Sequence, residues 1–244
     1  MKRYFQDIMY PSSKKEFESL IEKDHEPLDS NVILLPHAKA SIVSPFYSQA
    51  LKGLDNKKVL FIAPLHNERF TECEEDALLT VPSFTCDSNS AIQAPTLKCE
   101  EYILEEEYTL EIFMTFLSFL SSNVTVHPIF TSLQGKKDIT TLEKYLSRQD
   151  ADVIIVSGNF SDGNNNDEAL KHANLLLSLL EENKSLIDEG NRKHISGCAF
   201  PILEALRKRS NGFSLIKARC SGGEIETSLK SAEGKVYQVF GVFR

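Results

Sequence analysis

Short apolar runs alternate with longer amphipathic stretches along this chain. Asn31–Pro36 (NVILLP), Lys58–Pro64 (KVLFIAP), Val124–Phe130 (VTVHPIF) and Asp152–Ser157 (DVIIVS) are aliphatic and nearly continuous. Strands buried on both faces of a sheet read this way. Val236–Phe243 (VYQVFGVF) predicts a late strand. Helical patterns fill the intervals. Ser13 with Glu16 makes a capping box ahead of Phe17, Leu20 and Ile21. Glu105–Ser121 places Leu110, Phe113, Met114, Leu117 and Leu120 at helical spacing. Thr140 and Glu143 cap a short helix, Asn165 and Glu168 cap a longer one over Asp167–Asn183, and Pro201 opens a last one. Such alternation predicts an α/β fold: one domain over residues 1–244, with a mainly parallel central sheet flanked by helices. The Cys73–Cys99 stretch is the least regular, and Ser221-Gly222-Gly223 predicts a flexible loop.

Composition narrows the classes of function. With 27 Lys+Arg against 35 Asp+Glu, the chain carries a formal charge of −8, which opposes the phosphate-neutralising stripe of a nucleic-acid binder. No apolar run approaches the ~20 residues that span a bilayer. The N-terminal MKRYFQDIMYPSS has a basic start but no apolar core, so no signal peptide is expected. These features predict a cytoplasmic protein without nucleic-acid or membrane partners. Five cysteines, widely spaced and without a CxxC pair, fit reduced thiols better than disulfides.

Ligands of open α/β sheets collect beyond the carboxyl ends of the strands. The first strand runs into Pro36-His37, the second into Pro64-Leu65-His66, and the strand at Val153–Val156 into Ser157-Gly158-Asn159-Phe160-Ser161-Asp162-Gly163. If those strands are neighbours, His37, His66 and Asp162 or Asn159 project into one crevice, and two imidazoles with a carboxylate are the ligand set of non-haem iron sites. Spacing alone favours the plainer reading, in which each histidine caps a strand end. His127 reads as a core histidine, while His25, His172 and His194 read as surface residues. Glu107 and Glu111, one turn apart, either point inward together or join the solvated face of a stretch with six glutamates between residues 100 and 111; solvation is the simpler expectation. No G-x-S-x-G elbow, P-loop or strand-borne G-x-G-x-x-G is present.

At these strand ends the chain resembles the Memo-like family, which includes bacterial proteins called AmmeMemoRadiSam system protein B. The resemblance runs over nearly the whole chain. Met9-Tyr10-Pro11 is similar to the family's F-Y-P opening, Pro36-His37-Ala38 to P-H-A-G-Y, and Ala63-Pro64-Leu65-His66 to G-P-S-H. Glu107-Tyr108-Thr109-Leu110-Glu111 is similar to E-H-S-L-E, Ser157–Gly163 to S-S-D-F-S-H-Y-G, and Gly197-Cys198-Ala199-Phe200-Pro201-Ile202 to C-G-x-x-P-I.

The resemblance implies a fold similar to class III extradiol dioxygenases and a metal crevice at strand ends. His37 and His66 match two of the family's site histidines. The third is replaced by Asp162, the aspartate before it by Asn159, and the E-H-S histidine by Tyr108. Cys198 matches the family's cysteine one residue out of register, because strict alignment on Pro201 puts Gly197 there. Lys39 follows where the family has glycine. The implied ligands are His37, His66 and Cys198, with Asp162 as a hard oxygen donor, for Fe, Cu or Zn. Two functions follow from it. One is a metal-dependent redox or oxygenase-like protein. The other is a catalytically lapsed, metal-free member that binds a small molecule, a peptide or a protein partner.

Overall fold

A computed structural model describes residues 4–66, 78–81, 83–86, 107–131, 136–231 and 233–244. Most of the irregular Cys73–Cys99 stretch lies outside the described residues. The fold is α/β, with helices flanking one mixed sheet. In chain order the strands are β1 (Val32–Leu35), β2 (Lys58–Pro64), β3 (Leu78–Thr80), β4 (Phe84–Cys86), β5 (Val124–Thr131), β6 (Val153–Ser157), β7 (Ser161–Asp162), β8 (Phe213–Cys220), β9 (Ile225–Glu226) and β10 (Val236–Phe243). They hydrogen-bond in the order β3-β5-β2-β6-β1-β10-β8-β9, with β4 on β5 and β7 on β10.

The sheet is mixed and not mainly parallel as the alternation predicts. β2 and β5 are parallel, with Lys58 opposite Thr125 and Pro64 opposite Thr131. The pairs β1–β10, β8–β10, β8–β9, β7–β10, β3–β5 and β4–β5 are all antiparallel. Only parallel neighbours need a long crossover; β8 turns back to β10 by way of β9. β8 also has a half-exposed burial pattern, so no continuous apolar run betrays it.

The helices are α1 (Lys14–Leu20), α2 (Ala40–Ala50), α3 (Tyr108–Leu120), α4 (Lys136–Leu146), α5 (Asn166–Glu181), α6 (Glu189–Arg192) and α7 (Phe200–Arg207). Ser13 caps α1 by accepting from the Glu16 N–H at 3.4 Å. Asn165 caps α5 by accepting from the Glu168 N–H at 2.9 Å, and the Glu168 carboxylate returns to the Asn164 N–H at 2.8 Å. Among the described residues, no helix is long and apolar enough to cross a membrane.

Packing gathers the chain into two compact units: residues 1–29, 37–132 and 150–154, and residues 30–36, 133–149 and 155–244. The first has an aromatic core in which Phe61 stacks on Phe113 at 4.5 Å and Phe116 meets Phe17 and Tyr47, each at 4.8 Å. In the second, α5 packs its buried Ala169, Ala173 and Leu176 against β7, β8 and β10.

The second unit also holds a fully buried charge. Glu204 on α7 takes two bonds from the Arg207 guanidinium, both at 2.9 Å, and a third from the Leu186 N–H at 3.0 Å. Removing one partner of a buried pair leaves the other uncompensated. Glu204→Ala is therefore expected to cost about 3 kcal/mol in denaturant unfolding; a cost within 0.5 kcal/mol or so of zero, as for surface changes, would mean that Arg207 and the Leu186 amide find water instead.

Candidate metal centre

β1 is apolar to its end, and the chain leaves it through Pro36 into His37, which is 1% exposed. β2 ends likewise, at Pro64. The Leu65 N–H continues its pairing by donating to the Thr131 carbonyl at 2.8 Å, and His66 comes next. The two imidazoles meet edge to face, with centroids 4.9 Å apart and planes at 78°.

The first turn of α3 holds them. Glu107 is its N-cap, accepting from the Thr109 N–H at 3.2 Å. Its other oxygen takes the His66 N–H and meets His66 Nδ1, both at 3.0 Å. Burial works to raise the Glu107 carboxyl, but hydrogen bonding and attraction from His66, with a bond from Thr109, outweigh it and hold the group below its ordinary value. An ionised carboxylate only accepts, so Nδ1 carries the hydrogen, and in the neutral imidazole Nε2 is the nitrogen with a lone pair to give. Tyr108, the next residue, stacks on His66 (6.1 Å, 14°) and meets His37 edge-on (5.6 Å, 76°).

Cys198 sits in a close backbone crossing. Its sulfur accepts from the Asn159 N–H at 3.1 Å, and the Ala199 N–H reaches the Asn159 carbonyl at 3.2 Å. Gly197 has φ +139°, and a Cβ there would strike the Phe160 carbonyl. Gly158 is pressed just as hard, since its Cβ would lie 2.7 Å from that of Ala199. Glycine is thus required at 197, and the sulfur follows it at 198.

Each of His37, His66 and Cys198 offers a ligand atom, and these atoms all lie within 4.8 Å of one another. Two imidazoles and a thiolate suit zinc, copper or iron. The buried carboxylate on His66 Nδ1 is the outer-shell partner that metal-bound histidines take. The donor set therefore fits a transition-metal ion.

Asp162 is not part of this group. It lies in β7, opposite Val236, and its carboxylate accepts from the Ser196 hydroxyl while its carbonyl meets His172 Nδ1 at 2.8 Å. His172 is accordingly half-buried, where exposure was expected. His127 on β5 meets the Ser83 hydroxyl at 2.6 Å, and burial lowers its pKa. His194 is exposed, as is Lys39 ahead of α2.

Glu107 and Glu111 depart from the solvated expectation. They are 3% and 2% exposed. The usable signal was their i, i+4 spacing within an otherwise apolar helix start. No family model matches the chain, and no curated protein matches it.

Proposed function

We propose that this chain holds one transition-metal ion, Fe, Cu or Zn, on His37, His66 and Cys198 and serves a redox or oxygenase-like reaction as a Memo-like protein. The observation that carries the reading is the set of three ligand atoms within 4.8 Å of one another. The Glu107 bond to His66 Nδ1 supports it by leaving Nε2 for a ligand. When bound, such an ion supplies Lewis-acid or one-electron chemistry. The protein's own share is definite: Glu107 keeps the His66 proton on Nδ1, and Tyr108 walls the imidazoles with an aromatic face. The motif order along the chain supports a fold related to class III extradiol dioxygenases.

Metal content after anaerobic purification, with separate offers of Fe(II), Cu(I) and Zn(II), tests the reading. Near-stoichiometric metal in the native chain, lost in the His37→Ala/His66→Ala variant, is the expected result. Metal no higher than in that variant would refute it.

The second reading is a lapsed site that binds a small molecule, peptide or partner protein. Tyr108 favours it, because a phenol stands where the resemblance implies an acid–base histidine. A folded protein without metal, unaffected by both histidine substitutions, would be its signature.

A further inference from the structure

We infer that Glu111 is a positioning residue that latches the N-terminal strap, residues 4–10, onto the aromatic wall of the imidazole pair. Glu111 lies one helical turn beyond Glu107 and is 2% exposed. Its carboxylate accepts from the Tyr4 N–H at 3.1 Å, the Phe5 N–H at 3.0 Å and the Tyr10 hydroxyl at 2.6 Å. All three donors belong to the strap, and among the described residues no cation pairs with Glu111. The strap folds back on itself through Asp7, at φ +63°, whose N–H reaches the Tyr10 carbonyl at 2.7 Å. Its far end is tied to the start of α2, where the Ala40 N–H donates to the Met9 carbonyl at 2.7 Å. The strap thus joins the helix that follows His37 to the helix that carries Tyr108.

Phe5 is its inward contact. That ring meets Tyr108 edge-on at 5.8 Å, and Tyr108 in turn stacks on His66. The outer side of the strap carries Tyr4 and Ile8, 37% and 61% exposed. Lifting the strap strands a buried carboxylate, so the closed form is favoured until water reaches Glu111. Three charge-assisted bonds hold it, which makes the latch firm and also local. His37 is 1% exposed, whereas His66 already reaches solvent with the strap closed, so the latch bears on access to His37; control of metal entry rests additionally on the metal reading above.

The test uses the full metal-free chain with Glu111→Gln, Tyr10→Phe and Phe5→Leu. Three rates are followed: amide exchange at Tyr4 and Phe5, acylation of the buried His37 by diethyl pyrocarbonate, and Zn(II) association. In Glu111→Gln the two amides should exchange about tenfold faster, with acylation of His37 and Zn(II) entry accelerated alongside. Tyr10→Phe, which keeps the ring and loses one bond, should fall between. Phe5→Leu should speed acylation while leaving exchange at Tyr4 unchanged, an effect that general loosening does not produce. Leu180→Ala, a destabilising change in the other unit, should alter none of the three. Unchanged acylation in Glu111→Gln and Phe5→Leu overturns the inference even if zinc binds. Accelerated acylation in a chain that binds no metal upholds the latch and refutes only the metal reading.

Discussion

Gly197→Ala is expected to cost about 3–5 kcal/mol, the range of severe steric substitutions, and to abolish metal loading even where folded protein survives. The backbone there has φ +139°, which L side chains rarely adopt, and the new Cβ would lie 2.8 Å from the Phe160 carbonyl carbon. Neither neighbour can retreat. Phe160 is fully buried and its N–H donates to the Tyr237 carbonyl at 3.0 Å, while Ala199 is bound to Asn159. The 197–199 turn must move, and the Cys198 sulfur moves with it. Denaturant melts and zinc titration measure both effects. A loss under about 1 kcal/mol, the ordinary effect of a point change, with loading intact would show that the crossing is looser than its contacts imply.

Glu107→Ala is the second large effect. It removes the N-cap of α3 and the acceptor of two His66 donors, for an expected loss of roughly 2–3 kcal/mol. With His66 no longer oriented, metal affinity should fall about 10–100-fold. Glu107→Gln separates the two roles. Its amide oxygen still accepts from Nδ1–H, so stability should largely return, while the lost charge keeps affinity below native. Equal affinity in Glu107→Ala and the native chain would remove the carboxylate from the site's chemistry.

Much of the sheet was legible because its central strands are buried on both faces. Continuous aliphatic runs marked β1, β2, β5 and β6 to within a residue or so of their observed ends, and β10 over its full length. Capping pairs located α1 and α5 for a local reason, since their bonds join residues three apart. What escaped lacks such signals. Pro45 inside α2 reads as a breaker, yet the helix runs from Ala40 to Ala50. β8 alternates weakly and carries Lys217 and Arg219, so no apolar run marks it as a strand. Its antiparallel pairing with β10 changed the sheet from mainly parallel to mixed.

The site divides in the same way. His37 and His66 stood out because they end apolar strands. Cys198 stood out only through the resemblance, and its one-residue offset follows from the need for glycine at 197. Asp162 drew notice as the carboxylate beyond β6 and again through the resemblance, but β7 hydrogen-bonds it into another network. The inward turn of Glu107 and Glu111 was hidden among neighbouring glutamates. Their burial depends on His66 and on residues 4–10 (partners 41 and about a hundred residues away in the chain), which the i, i+4 spacing hints at but does not identify.

Zinc X-ray absorption on the reconstituted native chain, with Cys198→Ser beside it, tests the metal centre most directly. One sulfur at about 2.3 Å and nitrogens at about 2.0–2.1 Å, with the sulfur lost in Cys198→Ser, is the predicted result. A shell of oxygen and nitrogen alone, the same in both proteins, would contradict the His37–His66–Cys198 site.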